Sequence, residues 1–258
     1  FGMMASSAGA LFAAEYAGWN FAFVLMSALM GVGVLTVWLT REPAAPPSVL
    51  APVEGATFAQ KAVAWTRDAV VGPFADFASR PSWLLILVFI VLYKFGDALA
   101  GAMANPFYVA MEFTRVEVAS ISKIAGVFAT LAGVAAGGAV VNRYGLYRSL
   151  LICGVLQAVS NLLYVVQAWV GHDVALLAVT IGFENFTGGM GSAAFVAYLS
   201  GLCNVAFTAT QYALLSSLAS VGRTTLTAGS GWLSLQLGWP AFFAVTTLAA
   251  LPGILMVV

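Results

Sequence analysis

Long runs of uncharged, apolar residues, separated by short polar breaks, dominate this 258-residue sequence. Charged residues make up only 8% of the chain, whereas a soluble domain usually carries about a quarter. So few charges cannot cover the surface of a water-soluble fold, and the pattern therefore predicts an all-α membrane protein with several spans. The ten Lys and Arg residues are balanced by ten Asp and Glu residues. No net field attracts a phosphate backbone, so nucleic-acid binding is not expected.

The apolar runs define the predicted membrane spans, because a helix crosses the hydrocarbon core with about 20 residues. One full span precedes a polar stretch and six follow it. The predicted spans are residues 19–40, 82–109, 119–141, 149–169, 174–200, 205–230 and 239–258. Residues 1–14 are predicted to be the end of a further span. Because the sequence begins and ends inside apolar runs, we expect it to be part of a longer protein.

The polar stretch at 41–80 differs from the rest of the chain. It contains five of the nine prolines and eight of the twenty charged residues, which is typical of a linker. A short amphipathic helix on the membrane surface is predicted around residues 58–77. Basic residues in short loops favour the cytoplasmic side, and the linker shares its side of the membrane with the basic loop at 142–148. The linker is therefore predicted to be cytoplasmic.

Cysteine and histidine are too few for several kinds of site. Cys153 and Cys203 lie in apolar surroundings without CxxC spacing, which is typical of buried thiols. His172 is the single histidine of the chain. Neither a zinc cluster nor a serine–histidine arrangement can be built from this set, so no metal and no cofactor are expected.

Four charged residues lie well inside the predicted spans: Lys94, Asp97, Glu184 and Arg223. An ionised side chain near the bilayer centre costs at least about 2.5–3.5 kcal/mol, so such residues usually face one another or a water-filled cavity. Lys94 and Asp97 are three residues apart and share a helical face. Glu184 lies near the middle of the fourth span after the linker. A solute path is one interpretation, and an ion-pair network that only fixes helix register is the other.

A polar stripe runs along the fifth span after the linker. Its members, Tyr212, Ser216, Ser220, Arg223 and Thr227, are spaced four, four, three and four residues apart. Polar faces on the first, fourth and fifth spans, beside outer spans that have no charge, favour a solute path between the helices. The predicted substrate and proton path consists of Lys94, Asp97, Glu184, Asn185, Gln211, Tyr212 and Arg223.

Glycines on the second span after the linker mark helix packing and a loop. Gly126, Gly133 and Gly137 lie on one face and are predicted to allow close approach of a neighbouring helix. The loop that follows resembles the G-x-x-x-D-R-x-G-x-x-R signature of the major facilitator superfamily, with an asparagine where that pattern has aspartate. The resemblance implies a cytoplasmic gate loop made of Gly138, Asn142, Arg143, Gly145 and Arg148.

Longer segments are more specific. The sequences Tyr93–Ala98, Phe183–Gly191 and Ala209–Ser216, with Arg223 further along, closely resemble AmpG-type muropeptide permeases of the major facilitator superfamily. The resemblance runs from about residue 80 to the end of the chain, and Thr187 departs from a cysteine at that position. It implies a major-facilitator-type helical bundle with a six-helix C-terminal half and about one and a half preceding helices. Residues 1–40 would end the N-terminal half, 41–80 would form the cytoplasmic linker, and 81–258 would form the six-helix transport half.

The same resemblance implies a function. Members of the family are proton-coupled secondary transporters that import anhydro-muropeptides across the bacterial inner membrane for cell-wall recycling. The expected partners are this small-molecule substrate, protons, the lipid bilayer and the N-terminal half of the same transporter. Asp97 or Glu184 would take up the proton, and Lys94 or Arg223 would meet substrate carboxylates. In a transporter of this kind, Asn185, Gln211 and Tyr212 would supply neutral hydrogen bonds to sugar hydroxyls and amides.

Two alternatives stay open at this point. The first is a facilitator for another solute, such as acetyl-CoA, because related acetyl-CoA transporters share the general fold. The second is a membrane-embedded enzyme, such as an acyltransferase or an intramembrane hydrolase. That class generally needs a histidine, a metal cluster or a nucleophile–base pair within the membrane, and the sequence offers only a lysine–aspartate pair there.

Overall fold

A computed structural model describes residues 10–40, 57 and 70–257, in two compact units divided near residue 50. The first unit contains helix α1 (Ala10–Leu39), which is interrupted at Gly18 with φ 82° and ψ 163°. A glycine adopts this conformation without the strain that a Cβ atom would cause. The part of α1 from Tyr16 onward is long and apolar enough to cross a membrane. This confirms the predicted span at 19–40.

The second unit is built from helices joined by short connections. Its α-helices are α2 (Gly72–Ala78), α3 (Trp83–Leu92), α4 (Phe95–Ala110), α5 (Arg115–Ser120), α6 (Val127–Tyr144), α7 (Leu146–Val170), α8 (Val174–Leu202), α9 (Thr208–Thr227), α10 (Ser230–Leu237) and α11 (Trp239–Leu255). A π-helix at Ile121–Gly126 joins α5 to α6, and a short 3₁₀ helix at Val205–Phe207 precedes α9. The described residues of this unit contain helices and connecting turns, as predicted for an all-α membrane protein.

The six apolar runs predicted after the linker all form helices. Three of them, at Trp83–Ala110, Leu146–Val170 and Val174–Leu202, are long and apolar enough to cross a membrane by length and composition. Helix α11 is apolar but shorter, and α6 and α9 carry more polar residues. Helix α10 (Ser230–Leu237) occupies most of the interval 231–238 between two predicted spans. It ends at Gly238, whose φ of 72° separates it from α11.

The first span after the linker is not one continuous helix. Helix α3 ends before Tyr93, and Lys94, with φ −101° and ψ 10°, is the residue before α4. Helix α11 passes very close to this break, because a Cβ atom on Gly253 would lie 2.6 Å from Cα of Tyr93. A discontinuous helix exposes backbone polar groups and is tolerated within a membrane only where protein or a polar cavity surrounds it. The sequence analysis predicted a single helix here because the apolar run continues through the break.

Helices α6 and α8 approach each other closely along the predicted glycine face. A Cβ atom on Gly133 would lie 2.0 Å from the carbonyl oxygen of Phe186, and one on Gly137 would lie 2.7 Å from Cα of Met190. Only glycine permits such backbone contact. Gly126 faces Asn185 of the same neighbouring helix. The predicted packing face is therefore confirmed, and it fixes α8 firmly against α6.

Two clusters of buried apolar side chains stabilise the second unit. One joins α2, α3, α7, α8 and α9, and Phe77 of α2 belongs to it. The other joins α4, α7, α8 and α11 around Phe107, Tyr164 and Phe243. Of the predicted amphipathic helix at 58–77, residues 58–69 lie outside the described residues, and α2 covers part of the rest.

Candidate functional site

Lys94 is held at the helix break by three polar groups. Its Nζ atom lies 3.2 Å from Oδ2 of Asp97, 3.4 Å from Oε1 of Gln157 and 3.5 Å from Oγ of Ser192. The side chains of Lys94 and Asp97 are each about one-fifth exposed, at 19% and 22%. Asp97 lies in the first turn of α4, where the partial positive charge of a helix N-terminus also favours a carboxylate. The predicted pairing of Lys94 with Asp97 is thus present in the structure.

Glycines of α8 make room for this lysine and for Gln157. A Cβ atom on Gly191 would lie 2.7 Å from Oε1 of Gln157 and 3.7 Å from Nζ of Lys94. A Cβ atom on Gly188 would lie 3.7 Å from Nε2 of Gln157. A larger side chain at 191 would displace the amide, and with it one of the three groups that hold the ammonium. The glycine-rich sequence of α8 therefore shapes the site as well as the helix packing.

Glu184 completes what we call the membrane charge cluster: Lys94, Asp97 and Glu184. It is partly buried on α8, and its carboxylate is close enough to interact electrostatically with Asp97 and Lys94. Its one side-chain hydrogen bond among the described residues is a long contact of 3.4 Å with Nδ2 of Asn185. The first and fourth spans after the linker therefore bring their charged residues together, with the Lys94–Asp97 ion pair on one side and Glu184 on the other.

Helix α7 adds polar residues that the sequence analysis did not single out. Gln157, Asn161 and Tyr164 are spaced four and three residues apart, and all three are buried. Nε2 of Gln157 and both side-chain polar atoms of Asn161 have no hydrogen-bond partner among the described residues. The hydroxyl of Tyr164 pairs with that of Tyr108 at 3.1 Å. The helical spacing of these residues was the signal that could have predicted this stripe.

Two predicted path residues use their hydrogen bonds within the protein. Asn185 receives a hydrogen bond at Oδ1 from Thr130 of α6 (3.1 Å) and donates from Nδ2 to the carbonyl oxygen of Ile181 (2.8 Å). Gln211 is buried and donates from Nε2 to Asp76 (2.8 Å), which lies in α2 rather than in the membrane charge cluster. The structure thus places Asn185 in the α6–α8 contact and Gln211 at one end of the bundle.

The remaining predicted path residues lie on α9. Arg223 is exposed, and within the described residues its side chain makes no ion pair or hydrogen bond. Tyr212 is partly buried and packs against the apolar cluster that contains Phe89 and Tyr198. Among the described residues, Glu184 and Arg223 do not form an ion pair with each other. The polar stripe of α9 is present, but the structure does not bring it to the membrane charge cluster.

The predicted gate loop connects α6 to α7. Gly145 adopts φ 79° and ψ 170°, which lets one helix end and the next begin immediately. Asn142, Arg143 and Arg148 are exposed, and neither arginine forms an ion pair within the part of the chain that the structure describes. Gly138, the first residue of the predicted gate loop, lies within α6, and a Cβ atom there would have open space around it. The close approach occurs one residue earlier, at Gly137, because that residue faces α8.

A second polar group of residues, which we call the linker network, lies at the same end of the bundle as the gate loop. It consists of Asp76, Arg80, Asn204 and Gln211. Asp76 accepts hydrogen bonds from Arg80 (3.0 Å), from Gln211 (2.8 Å) and from Asn204 (2.8 Å). Arg80 also donates to the carbonyl oxygen of Leu202. These contacts join α2 to the end of α8 and the start of α9.

Electrostatics distinguishes the linker network from an ordinary surface contact. The pKa of Asp76 is lowered, chiefly by the hydrogen bond from Gln211. The hydrogen bonds from Asn204 and Arg80 and the positive charge of Arg80 lower it further, whereas burial acts in the opposite direction. Each carboxylate oxygen has a partner, and Oε1 of Gln211 accepts from the backbone N–H of Asn204 at 2.7 Å. The network is therefore well satisfied as long as Asp76 is ionised.

Glu117 and His172 meet at the opposite end of the bundle. Glu117 closes a capping box with Thr114 at the start of α5, and these hydrogen bonds lower the pKa of Glu117. Nε2 of His172 lies 3.6 Å from Oε1 of Glu117, and its ring stacks on Phe113. Within residues 10–40 and 70–257, no group of three or more His, Cys, Asp or Glu side chains is placed to hold a metal ion.

Comparison with known proteins gives close relatives. The chain is 36% identical over 260 residues to "Putative transporter AmpG 4" of Rickettsia felis, covering 98% of this chain and 60% of that protein. It is 37% identical over 257 residues to "Anhydromuropeptide permease" of Escherichia coli K12, covering 99% of this chain and 50% of that protein. No family model matches. The chain spans between half and three-fifths of the length of these curated relatives.

Proposed function

The chain belongs to the family of AmpG-type permeases, and from this premise we propose that it forms part of a proton-coupled importer of anhydro-muropeptides. The observation that carries the proposal is the membrane charge cluster. An ion pair and a further carboxylate meet where α3 gives way to α4, between helices long and apolar enough to cross a bilayer. Charges at this depth are costly and usually belong to a substrate or ion path.

The proposed organisation follows the helices. Residues 1–40 end an N-terminal half, residues 41–80 form a cytoplasmic linker, and residues 81–258 form a six-helix transport half in the bacterial inner membrane. The order of helical segments from α3 to α11 supports this division. In transporters of this kind a discontinuous helix near the bilayer midplane supplies groups to the solute site. The break at Lys94 supplies an ammonium group of that kind.

The proposed chemistry assigns different tasks to the three charges. Lys94, paired with Asp97 but still about one-fifth exposed, attracts a carboxylate of the peptide part of the substrate. Glu184 carries the proton, because its carboxylate forms no ion pair among the described residues and can be neutralised by protonation. Arg223 is exposed on α9 and supplies a second cation to the solute path when the two halves close around the substrate.

The test is uptake of radiolabelled anhydro-muropeptide by cells or proteoliposomes that contain the transporter, with and without a proton uncoupler. We expect accumulation that the uncoupler abolishes. Uptake that is insensitive to the uncoupler would refute proton coupling, and absence of muropeptide uptake beside uptake of another solute would refute the substrate.

The carrier residue has its own test. Glu184→Gln should abolish accumulation driven by a pH gradient but retain counterflow of labelled against unlabelled substrate, which needs no net proton movement. Ser160→Ala is the matched control, because Ser160 is buried and bonds only within its own helix (2.7 Å to the carbonyl oxygen of Gln157). Gradient-driven accumulation by Glu184→Gln would show that another group carries the proton.

A further inference from the structure

The polar stripe of α7 has hydrogen-bonding capacity that the described protein groups do not use. Asn161 is 1% exposed, and neither its Oδ1 nor its Nδ2 atom has a partner among the described residues. Leaving a buried polar group without a partner costs about 1–3 kcal/mol. A buried asparagine in this position therefore needs an explanation, since an apolar residue of similar size would avoid the cost.

The register of α7 and α8 shows what Asn161 is opposite. The two helices are antiparallel neighbours, and Gln157 lies between Gly188 and Gly191. Asn161 lies one helical turn after Gln157 on α7, and Glu184 lies one turn before Gly188 on α8. Each step is about 6 Å along the helix axis. Residues four apart share a helical face, so Asn161 and Glu184 lie at the same level of the two facing surfaces.

The next pair along the two helices agrees with this register. Tyr164 of α7 packs in the same buried cluster as Leu177 and Ile181 of α8. Tyr164 and Tyr108 are also close enough to Glu184 to interact electrostatically with it. Asn161 therefore lies between Gln157, which contacts Lys94, and Tyr164, which borders Glu184.

The groups around Glu184 come from several helices. Lys94 reaches it from the break before α4, Asp97 and Tyr108 from α4, and Tyr164 from α7. Helix α6 presents Thr130, which is occupied by Asn185. The two tyrosines are hydrogen-bonded to each other. At the level of Glu184, Asn161 is thus the amide whose donor and acceptor atoms both lack a partner among the described residues.

An amide group suits a carboxyl group that changes its charge. It can donate an N–H to a carboxylate and can accept an O–H from the protonated acid, whereas an ammonium group can only donate. We propose that Asn161 is the neutral hydrogen-bonding partner of Glu184 in both protonation states, directly or through one bridging water molecule. Asn161 is therefore a positioning residue for Glu184. Gln157, one helical turn away on the same face of α7, is a second amide and contacts Lys94. The inference rests on the proposed function only in giving Glu184 a reason to change its protonation.

Infrared difference spectroscopy of the chain in lipid bilayers, between acidic and neutral pH, tests the contact without requiring transport. The carbonyl stretch of protonated Glu184 is identified by its loss in Glu184→Gln. We expect Asn161→Leu to shift this band to higher wavenumber because a hydrogen bond is lost, and Asn161→Gln to return it toward the wild-type position. Ser160→Ala and Thr180→Val should leave the band unchanged; Thr180 is a buried hydroxyl without a partner, one turn before Glu184.

Isotope labelling tests the same contact from the side of the amide. With ¹⁵N-labelled asparagine, a side-chain amide band should change together with the Glu184 band. Its loss in Asn161→Gln assigns the band to Asn161 rather than to Asn185, whose Nδ2 atom lies 3.4 Å from Glu184. An unshifted Glu184 band in folded Asn161→Leu would overturn the inference. A shift of the Glu184 band in Thr180→Val alone would also overturn it. The same holds if no asparagine band changes with pH, or if the wild-type spectrum shows no band of protonated Glu184. Uptake assays decide the proposed transport separately, so the two failures are distinguishable.

Discussion

The linker network and the membrane charge cluster are both built around an aspartate, but they differ in how completely their groups are paired. In the linker network, Asp76 accepts from three side chains, and Gln211 uses both its donor and its acceptor. In the membrane charge cluster, Asp97 has one close cation, and the neighbouring Gln157 and Asn161 keep unused polar atoms.

If the proposed function is correct, the difference separates a structural contact from a working site. A fully satisfied polar network rigidifies the elements that it joins, and a partly satisfied one is costly where it is buried. The linker network therefore holds α2 against the ends of α8 and α9. The membrane charge cluster keeps open hydrogen bonds at a cost in stability, and this is the pattern expected where a solute or a proton must bind and leave.

The largest effect is expected from breaking the ion pair of the membrane charge cluster. Asp97→Asn leaves the Lys94 ammonium without its carboxylate at 3.2 Å. Removing one partner of a buried pair costs about 3–5 kcal/mol, and since this pair is about one-fifth exposed we expect about 3 kcal/mol. Thermal unfolding in detergent or lipid should show the loss.

The double variant Lys94→Met/Asp97→Asn is the control for that prediction. It removes both charges and keeps most of the side-chain volume, so most of the lost stability should return, while substrate binding should not. If the double variant were as unstable as Asp97→Asn, the ion pair would not be the cause.

An intermediate effect is expected in the linker network. Asp76→Asn replaces charge-assisted hydrogen bonds by neutral ones, and we expect a loss of about 1–2 kcal/mol at neutral pH. The folded-state pKa of Asp76 is lowered, so its stabilisation is present above the unfolded value and is lost as the pH falls below about 4. Thermal unfolding of the wild type should therefore weaken in acid more than that of Asp76→Asn, and equal acid sensitivity of the two proteins would contradict the assignment.

The smallest effect is expected from Ser192→Ala. Its hydroxyl lies 3.5 Å from Nζ of Lys94, the longest of the three contacts of that ammonium. We expect a change in stability below about 1 kcal/mol and a modest rise in the KM for uptake, because Lys94 loses one of its positioning groups. A loss as large as that of Asp97→Asn would mean that the serine, rather than the ion pair, holds the lysine.

Much of the fold could be predicted because the apolar runs are long and the breaks between them are polar. The glycine face of α6 was also predictable, since Gly133 and Gly137 keep helical spacing. The break at Lys94 could not be predicted from local sequence, because helix propensity continues through Tyr93 and the break depends on the close passage of Gly253 from α11. Tyr93 and Gly253 are 160 positions apart in the chain, so their contact leaves no signal in the local sequence.

The candidate site was predictable in its charges and less so in its neutral groups. Lys94, Asp97 and Glu184 were found because a charge in an apolar run is costly wherever it lies. Gln211 shares a helix with Tyr212 and Arg223, but its position near the start of α9 brings it to Asp76, 135 residues away in the chain. Asn161 was overlooked because amides carry no charge, although its spacing from Gln157 and Tyr164 was visible.

The close passage of α11 behind the helix break has a consequence for genetics. Gly253 leaves no room for a Cβ beside Tyr93, and Gly96, two residues past Lys94, leaves none beside the backbone of Thr246. A screen for alleles that abolish transport would therefore recover substitutions at Gly253, in a helix with no charged residue. Second-site suppressors would be expected around this contact, near Leu92 and Tyr93 on the facing surface, rather than among the charges whose positions were disturbed.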